Sequence, residues 1–350
     1  MPTAVHAPYD SAELAHAADV MVTDQMWVKP GHNVLITADT ATDPVGVEAV
    51  LRAITRAGAK GGGFTIPQLP FQGMLADPYV PESLGAAVVK SDAWIDLTFP
   101  YLAGSHIHDE ALKGGRTRYL LALDIGAGGI VRLYGRGDLD KIYAVQSALD
   151  ALLVKARGKT CRITTELGTD VTCVLDKPGY IKPRRANKPG LYSPPGGSVL
   201  FPVVESVKGT IVVEAAFHEY YAIFDKPCVL TVDGRIRKVS GGGPERKVME
   251  RALRRAGGGE FGYVIHFTHG MHPAARMTHT SFEEATRVAG NDAIGLGTPF
   301  WMPGGGENHP DGLMSMQSVW VDGVRIVRDG DIVGPPKLAK LAAALTPVYR

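Results

Sequence analysis

Apolar and polar positions follow two different rhythms along this chain. In the first, short β-branched runs alternate with longer amphipathic ones: residues 33–37 predict a strand, and residues 44–57 predict a helix. The rhythm continues with predicted strands near 63–66, 94–98 and 119–123, and a helix over 82–89 between the first two. Strands alternating with helices form a parallel sheet covered on both faces, so this part is expected to be a Rossmann-like α/β domain. A long helix over 138–156, stopped by Gly158, is expected to close that domain at residue 158.

Beyond that point strands dominate. Residues 161–165, 209–214 and 228–232 each read as strands, and one clear helix spans 245–256. The pairs Asp233-Gly234 and Asp322-Gly323 sit between β-rich arms and predict tight hairpins. Residues 159–350 therefore read as a β-rich α+β domain. Its proline- and lysine-rich loop over 177–195 is long enough to serve substrate or a subunit contact.

A chain of 350 residues exceeds one ordinary core, in keeping with two domains. Lys plus Arg number 37 against 36 Asp plus Glu, so no broad basic surface awaits a phosphate backbone and nucleic acid is not an expected partner. The cysteines, Cys161, Cys173 and Cys228, lack metal-ligand spacing and read as free thiols packed in a core, as in a reducing cytoplasm. The start has no basic segment leading into an apolar one, and no window of 18 apolar residues occurs; a cytoplasmic location without a membrane partner is expected.

Candidate chemistry narrows to histidines. The glycines of Ile125-Gly126-Ala127-Gly128-Gly129 have the wrong spacing for a dinucleotide fingerprint and read as a sheet-edge turn. No Gly-x-Ser-x-Gly elbow is present. Five of the 11 histidines lie between His266 and His309. In Asn308-His309-Pro310-Asp311-Gly312, an imidazole and a carboxylate stand two residues apart; a second imidazole would complete a facial site for a divalent metal. Pro-Asp-Gly is also ordinary turn vocabulary. His266 ends an apolar run and reads equally as a ligand or a hydrogen-bonded core histidine. In a continuing strand His269 would face away from His266 and His272, but Gly270 and Pro273 interrupt it; His269, His272 and His279 read first as packing histidines. His106 and His108 follow the strand around Leu97, where α/β sheets place ligand-contacting loops; either could be a general base, or both could be solvated helix-start residues.

The run Gly-Tyr-Val-Ile-His-Phe-Thr-His-Gly-Met-His-Pro-Ala-Ala over 262–275, followed by His309-Pro310-Asp311 before a hairpin, resembles 2,5-dihydroxypyridine 5,6-dioxygenase and the wider aminopeptidase T-like (M29) group. Leu167-Gly168-Thr169-Asp170, Pro195-Gly196-Gly197-Ser198-Val199 and the Asp233-Gly234 turn fall in the same order as in that group. Aminopeptidases of the group carry glutamates where Ser198 and His266 stand here, as ligands of a two-metal hydrolytic centre. Losing both carboxylates removes charge that holds paired divalent ions together, so a one-metal centre is expected.

The resemblance implies non-haem Fe(II), with Zn or Mn as alternatives, held by His266, His309 and Asp311 in the C-terminal domain. It implies extradiol-type ring cleavage of a hydroxylated aromatic or N-heteroaromatic such as 2,5-dihydroxypyridine, with O₂ as co-substrate. His106 or His108 would deprotonate a ring hydroxyl, and Tyr192 and Ser193 would hydrogen-bond substrate. His269 and His272, imidazoles that the pyridine dioxygenase does not show, become further substrate contacts. The resemblance and the long loop both favour a homo-oligomer. A hydrolase using the same three ligands to activate water is the rival reading, and a metal-stabilised binding protein with a closed site is a third.

Overall fold

The structure is a computed structural model that describes residues 9–176, 184–305 and 309–348. Asn308, Gly306 and the first part of the 177–195 loop lie outside the described residues. Strands β1 (Asn33–Asp39), β2 (Lys60–Ile66), β3 (Ala93–Asp96) and β4 (Arg118–Leu121) pair in parallel, as the first rhythm requires. Their side chains alternate between two cores: Ile36, Ile95 and Leu120 enter one, Leu35, Trp94 and Tyr119 the other. A parallel sheet covered on both faces needs this near-continuous apolar content. Helix Pro44–Arg56 starts on the Asp43 carboxylate, which accepts a hydrogen bond from the Val45 amide.

Strands β5 (Thr160–Thr164) and β6 (Asp170–Val174) open a second, antiparallel sheet, but the next strand, β7 (Gly190–Tyr192), returns to the first and pairs with β4 in parallel. The first sheet thus has the order β2-β1-β3-β4-β7 and draws its last strand from beyond the expected boundary at 158. Periodicity could not reveal this, since a three-residue strand is too short to show a period.

The second sheet continues through β8 (Gly197–Leu200), β9 (Lys208–Phe217), β10 (Tyr221–Asp233), β11 (Arg235–Gly241), β12 (Tyr263–Gly270) and β13 (Asn291–Gly297). It ends with β14 (Asp311–Ser315), β15 (Ser318–Val321), β16 (Val324–Arg328) and β17 (Asp331–Ile332). Its order is β17-β16-β15-β5-β6-β9-β14-β13-β12-β8, with β10 and β11 branching from β9. Both expected hairpins form, and Asp322 and Gly323 take positive φ values of 52° and 78°, as a two-residue turn of this hand demands. All three cysteines are free and buried.

Two expectations change. The glycines after β4 do not make a sheet-edge turn; they start a short helix, Ala127–Ile130, whose first amide donates to Asp43 Oδ2 at 2.8 Å. That end already faces an anion, which leaves no reason to place a phosphate there. Helix Leu139–Lys155 begins in the first core with Leu139 and Ile142, then buries Val145, Leu149 and Leu153 in the core of the second sheet. It bridges the two halves as well as following the first.

The halves meet through aromatic rings. Phe217, at the end of β9, stacks on Phe282 at 4.9 Å and on Tyr101 at 5.8 Å, and meets Phe99 edge-on at 5.4 Å. It is fully buried. Truncation in Phe217→Ala is expected to cost about 3–5 kcal/mol of unfolding free energy, read from urea denaturation; a loss under about 1 kcal/mol would show that the junction collapses to refill the space.

Candidate metal centre and its cavity

Three adjacent strands build the centre. His266 lies on β12, Asp311 opens β14, and β13 runs between them with Gly295 paired to both His266 and Asp311. A register shift between Val264 and His266 turns His266 and Thr268 to the cavity, while Phe267 and His269 face the opposite side. Gly295 clears the space between the two ligands. A Cβ there would stand 2.3 Å from His266 Nε2.

His266 Nε2 lies 3.8 Å from Asp311 Oδ1, and His309 Nε2 lies 3.7 Å from Asp311 Oδ2. One ligand atom from each residue can be chosen so that all lie within 4.8 Å of one another. Two ligands about 2.1 Å from one ion are separated by at most about 4.2 Å, so small side-chain adjustments would close the group around a metal. His309 and Asp311 are 7% exposed. Supporting contacts orient them: Thr268 Oγ1 is 3.2 Å from His266 Nδ1, and Gln72 Nε2 donates to the His309 carbonyl at 2.5 Å. Imidazoles beside a carboxylate suit a divalent ion, and the alternation of His309 and Asp311 puts both on one face of the segment.

These three side chains open into a cavity that is partly open to solvent. Leu121, Leu123 and Phe282 supply apolar wall, Ser193, Thr268 and Thr286 supply hydroxyls, and Phe300 stands at a partly exposed edge. Phe300 packs edge-on against Trp301 at 4.7 Å; Phe201 in turn lies 6.3 Å from Trp301 and 6.2 Å from His266. The cavity also receives Glu283 and Arg287, an ion pair 7% exposed on each side. No sequence motif pointed to this pair or to Gly295. The only signal for the mouth was an apolar Phe300-Trp301-Met302 run inside a glycine- and proline-rich loop.

Of the residues singled out from sequence, His266, His309, Asp311 and Ser193 meet at this cavity. The others are placed elsewhere. His106 starts helix His106–Lys113 with its side chain 70% exposed, 3.2 Å from Glu110. His108 turns inward, edge-on to Tyr119 at 4.7 Å, and accepts from the Gly104 amide through Nδ1. Helix geometry explains the split, because residues two apart point to different sides. Tyr192 is buried in the first core with its hydroxyl donating to the Lys188 carbonyl at 2.6 Å. His269, on the far face of β12, meets Gln317 at 2.5 Å and Asp292 at 3.5 Å. His272 lies against the Leu133 carbonyl at 3.0 Å, and burial pushes its pKa down to about 4. His279 is exposed. Ser198, at one of the positions where a second metal would need a carboxylate, faces away from this cavity, its hydroxyl 3.5 Å from the Gln146 carbonyl.

The fold and this centre define a class: a parallel five-stranded sheet joined to a large antiparallel sheet that carries two histidines and one carboxylate able to hold a metal ion. The family model of 2,5-dihydroxypyridine 5,6-dioxygenase matches residues 20–334, and the chain belongs to that family. Among solved structures, 2,5-dihydroxypyridine dioxygenase from Pseudomonas putida KT2440 is similar at 20% identity and TM-score 0.73, covering 95% of this chain and 100% of that one. Wild-type AmpT from Thermus thermophilus is similar at 14% identity and TM-score 0.63, covering 92% and 99% respectively. At these identities the likeness is one of fold. Comparison with curated protein sequences gave no match.

Gly295→Ala is expected to empty the metal site while leaving far-UV circular dichroism unchanged, as are His309→Ala and Asp311→Ala. Undiminished metal content in these purified variants would overturn the ligand assignment. His272 generates a second expectation. An unfolded histidine titrates near 6.5 and the folded one near 4, so the unfolded chain binds more protons between those values. Stability that is complete above about pH 6.5 should fall by on the order of 3 kcal/mol as pH drops through about 4. In His272→Gln that part of the loss should vanish, as read by urea unfolding at several pH values.

Proposed function

We propose that this protein is an Fe(II)-dependent, extradiol-type ring-cleaving dioxygenase acting on a hydroxylated N-heteroaromatic such as 2,5-dihydroxypyridine. The observation that carries the reading is the His266, His309 and Asp311 set opening into a cavity with apolar walls. Two imidazoles and one carboxylate on one face of an ion leave positions for substrate and O₂. Family membership and the fold of the Pseudomonas enzyme support it.

When bound, Fe(II) supplies the redox chemistry that couples an electron-rich ring to dioxygen. The chain's own residues do the rest. Leu121, Leu123 and Phe282 hold a flat ring and exclude water, and Phe300 narrows the mouth. Ser193, Thr268 and Thr286 offer hydroxyls to the polar substituents of a substrate. Thr268 also fixes the His266 ring through Nδ1, which leaves Nε2 to the metal. The reaction adds both atoms of O₂ across a cleaved ring bond, so the atoms balance without a further reductant.

The hydrolytic alternative finds less support. Among the described residues the metal-capable cluster is the single His266, His309 and Asp311 group, and Ser198 brings no carboxylate to it. A two-metal centre with closely spaced ions needs more negative charge than one aspartate provides.

Anaerobic purification followed by metal analysis and oxygen-electrode assays with 2,5-dihydroxypyridine and catechol tests this directly. One iron per chain and one O₂ consumed per ring opened are expected. Turnover under strict anaerobiosis would instead establish a hydrolase, and a closed metal site without turnover would establish a binding protein.

A further inference from the structure

The cavity wall carries a charged pair outside the metal-capable group of His266, His309 and Asp311. Arg287 Nη2 donates to Glu283 Oε1, its Nη1 donates to Thr286 Oγ1 at 3.0 Å, and its Nε has no hydrogen-bond partner. The pair stands close to the centre. A Cβ on Gly197 would lie 2.7 Å from Arg287 Nη1 and 3.4 Å from Thr268 Cγ2, and Thr268 is the residue that touches the His266 ring.

Burying two opposite charges is costly, and an apolar pair of the same volume often stabilises a fold as well or better. Together the two are neutral, so they select no net charge in a substrate. They offer instead an acceptor beside a donor: a carboxylate has several lone-pair sites, and a guanidinium has five N–H groups. The complementary edge is an N–H adjacent to a C=O. A 2-hydroxypyridine ring presents that edge in its cyclic-amide tautomer, whereas a benzenediol does not.

Resting on the ring-cleavage reading for what the cavity holds, we propose that Glu283 and Arg287 recognise the cyclic-amide edge of a 2-pyridone substrate. The Glu283 carboxylate accepts the ring N–H, and the Arg287 guanidinium donates to the ring C=O. A hydroxyl at position 5, across the ring from that carbonyl, is then directed toward His266, His309 and Asp311. A benzenediol offers O–H donors but no C=O beside an N–H, so it cannot match the acceptor and the donor of the pair together, and sites built to bond a substrate N–H reject analogues that lack it strongly.

The test uses the iron-loaded, anaerobic protein and three small probes, 2-pyridone, N-methyl-2-pyridone and phenol, with binding read by calorimetry. 2-Pyridone is expected to bind at least about tenfold more tightly than either other probe, and Glu283→Leu, which removes the acceptor, to erase that preference with iron content unchanged, at the cost of a lower melting temperature because Arg287 loses its charge partner. Equal affinity for 2-pyridone and N-methyl-2-pyridone in the unmodified protein would overturn the proposal, even if the Glu283 variant failed to fold. The two readings separate cleanly. A 2-pyridone preference without O₂ uptake on 2,5-dihydroxypyridine would sink ring cleavage alone; O₂ uptake without the preference would sink the recognition pair alone.

Discussion

The register of β12, β13 and β14 is the constraint on which the centre depends. His266, Gly295 and Asp311 occupy neighbouring rungs, so the distance between two ligands is set by backbone pairing rather than by loop conformation. A one-residue slip on β12 or β14 would send a candidate ligand to the opposite face. The register shift beside His266 is therefore part of the site: it gives His266 and Thr268 to the cavity and Phe267 and His269 to the packing behind it.

The cavity has two parents. The parallel half contributes Leu121, Leu123 and Tyr101, and the antiparallel half contributes the ligands. β9 joins the two roles, since Phe217 pairs with Asp311 through the backbone while its ring stacks on Phe282 and Tyr101. Packing between the halves and placement of a candidate metal ligand thus share one residue.

Much of this was legible in the sequence because the relevant signals are local. The βαβ rhythm gave four of the five parallel strands, the Asp-Gly pairs marked both hairpins, and His309 and Asp311 announced themselves by alternation and chemistry. What escaped is not local. Strand β7 joins the first sheet from within the segment that reads as a proline- and lysine-rich loop over 177–195, Gly295 acts by leaving space, and Glu283 with Arg287 gains meaning only from the cavity they face. His106 and His108 show the limit from the other side. Position after a strand identified the right neighbourhood, yet side-chain direction sent one ring to solvent and the other into an aromatic cluster.

Helix Leu139–Lys155 has an implication for dividing the molecule. Its first turns serve the parallel half and its later ones the antiparallel half, while β7 crosses back in the other direction. A fragment ending at residue 158 would lack its edge strand and leave Val145, Leu149 and Leu153 bare, an apolar stripe that invites aggregation. The complementary fragment would lose the helix that covers its sheet. The two halves are thus a reciprocal exchange of elements, and genetic separation at their apparent boundary would yield two incomplete cores rather than two modules.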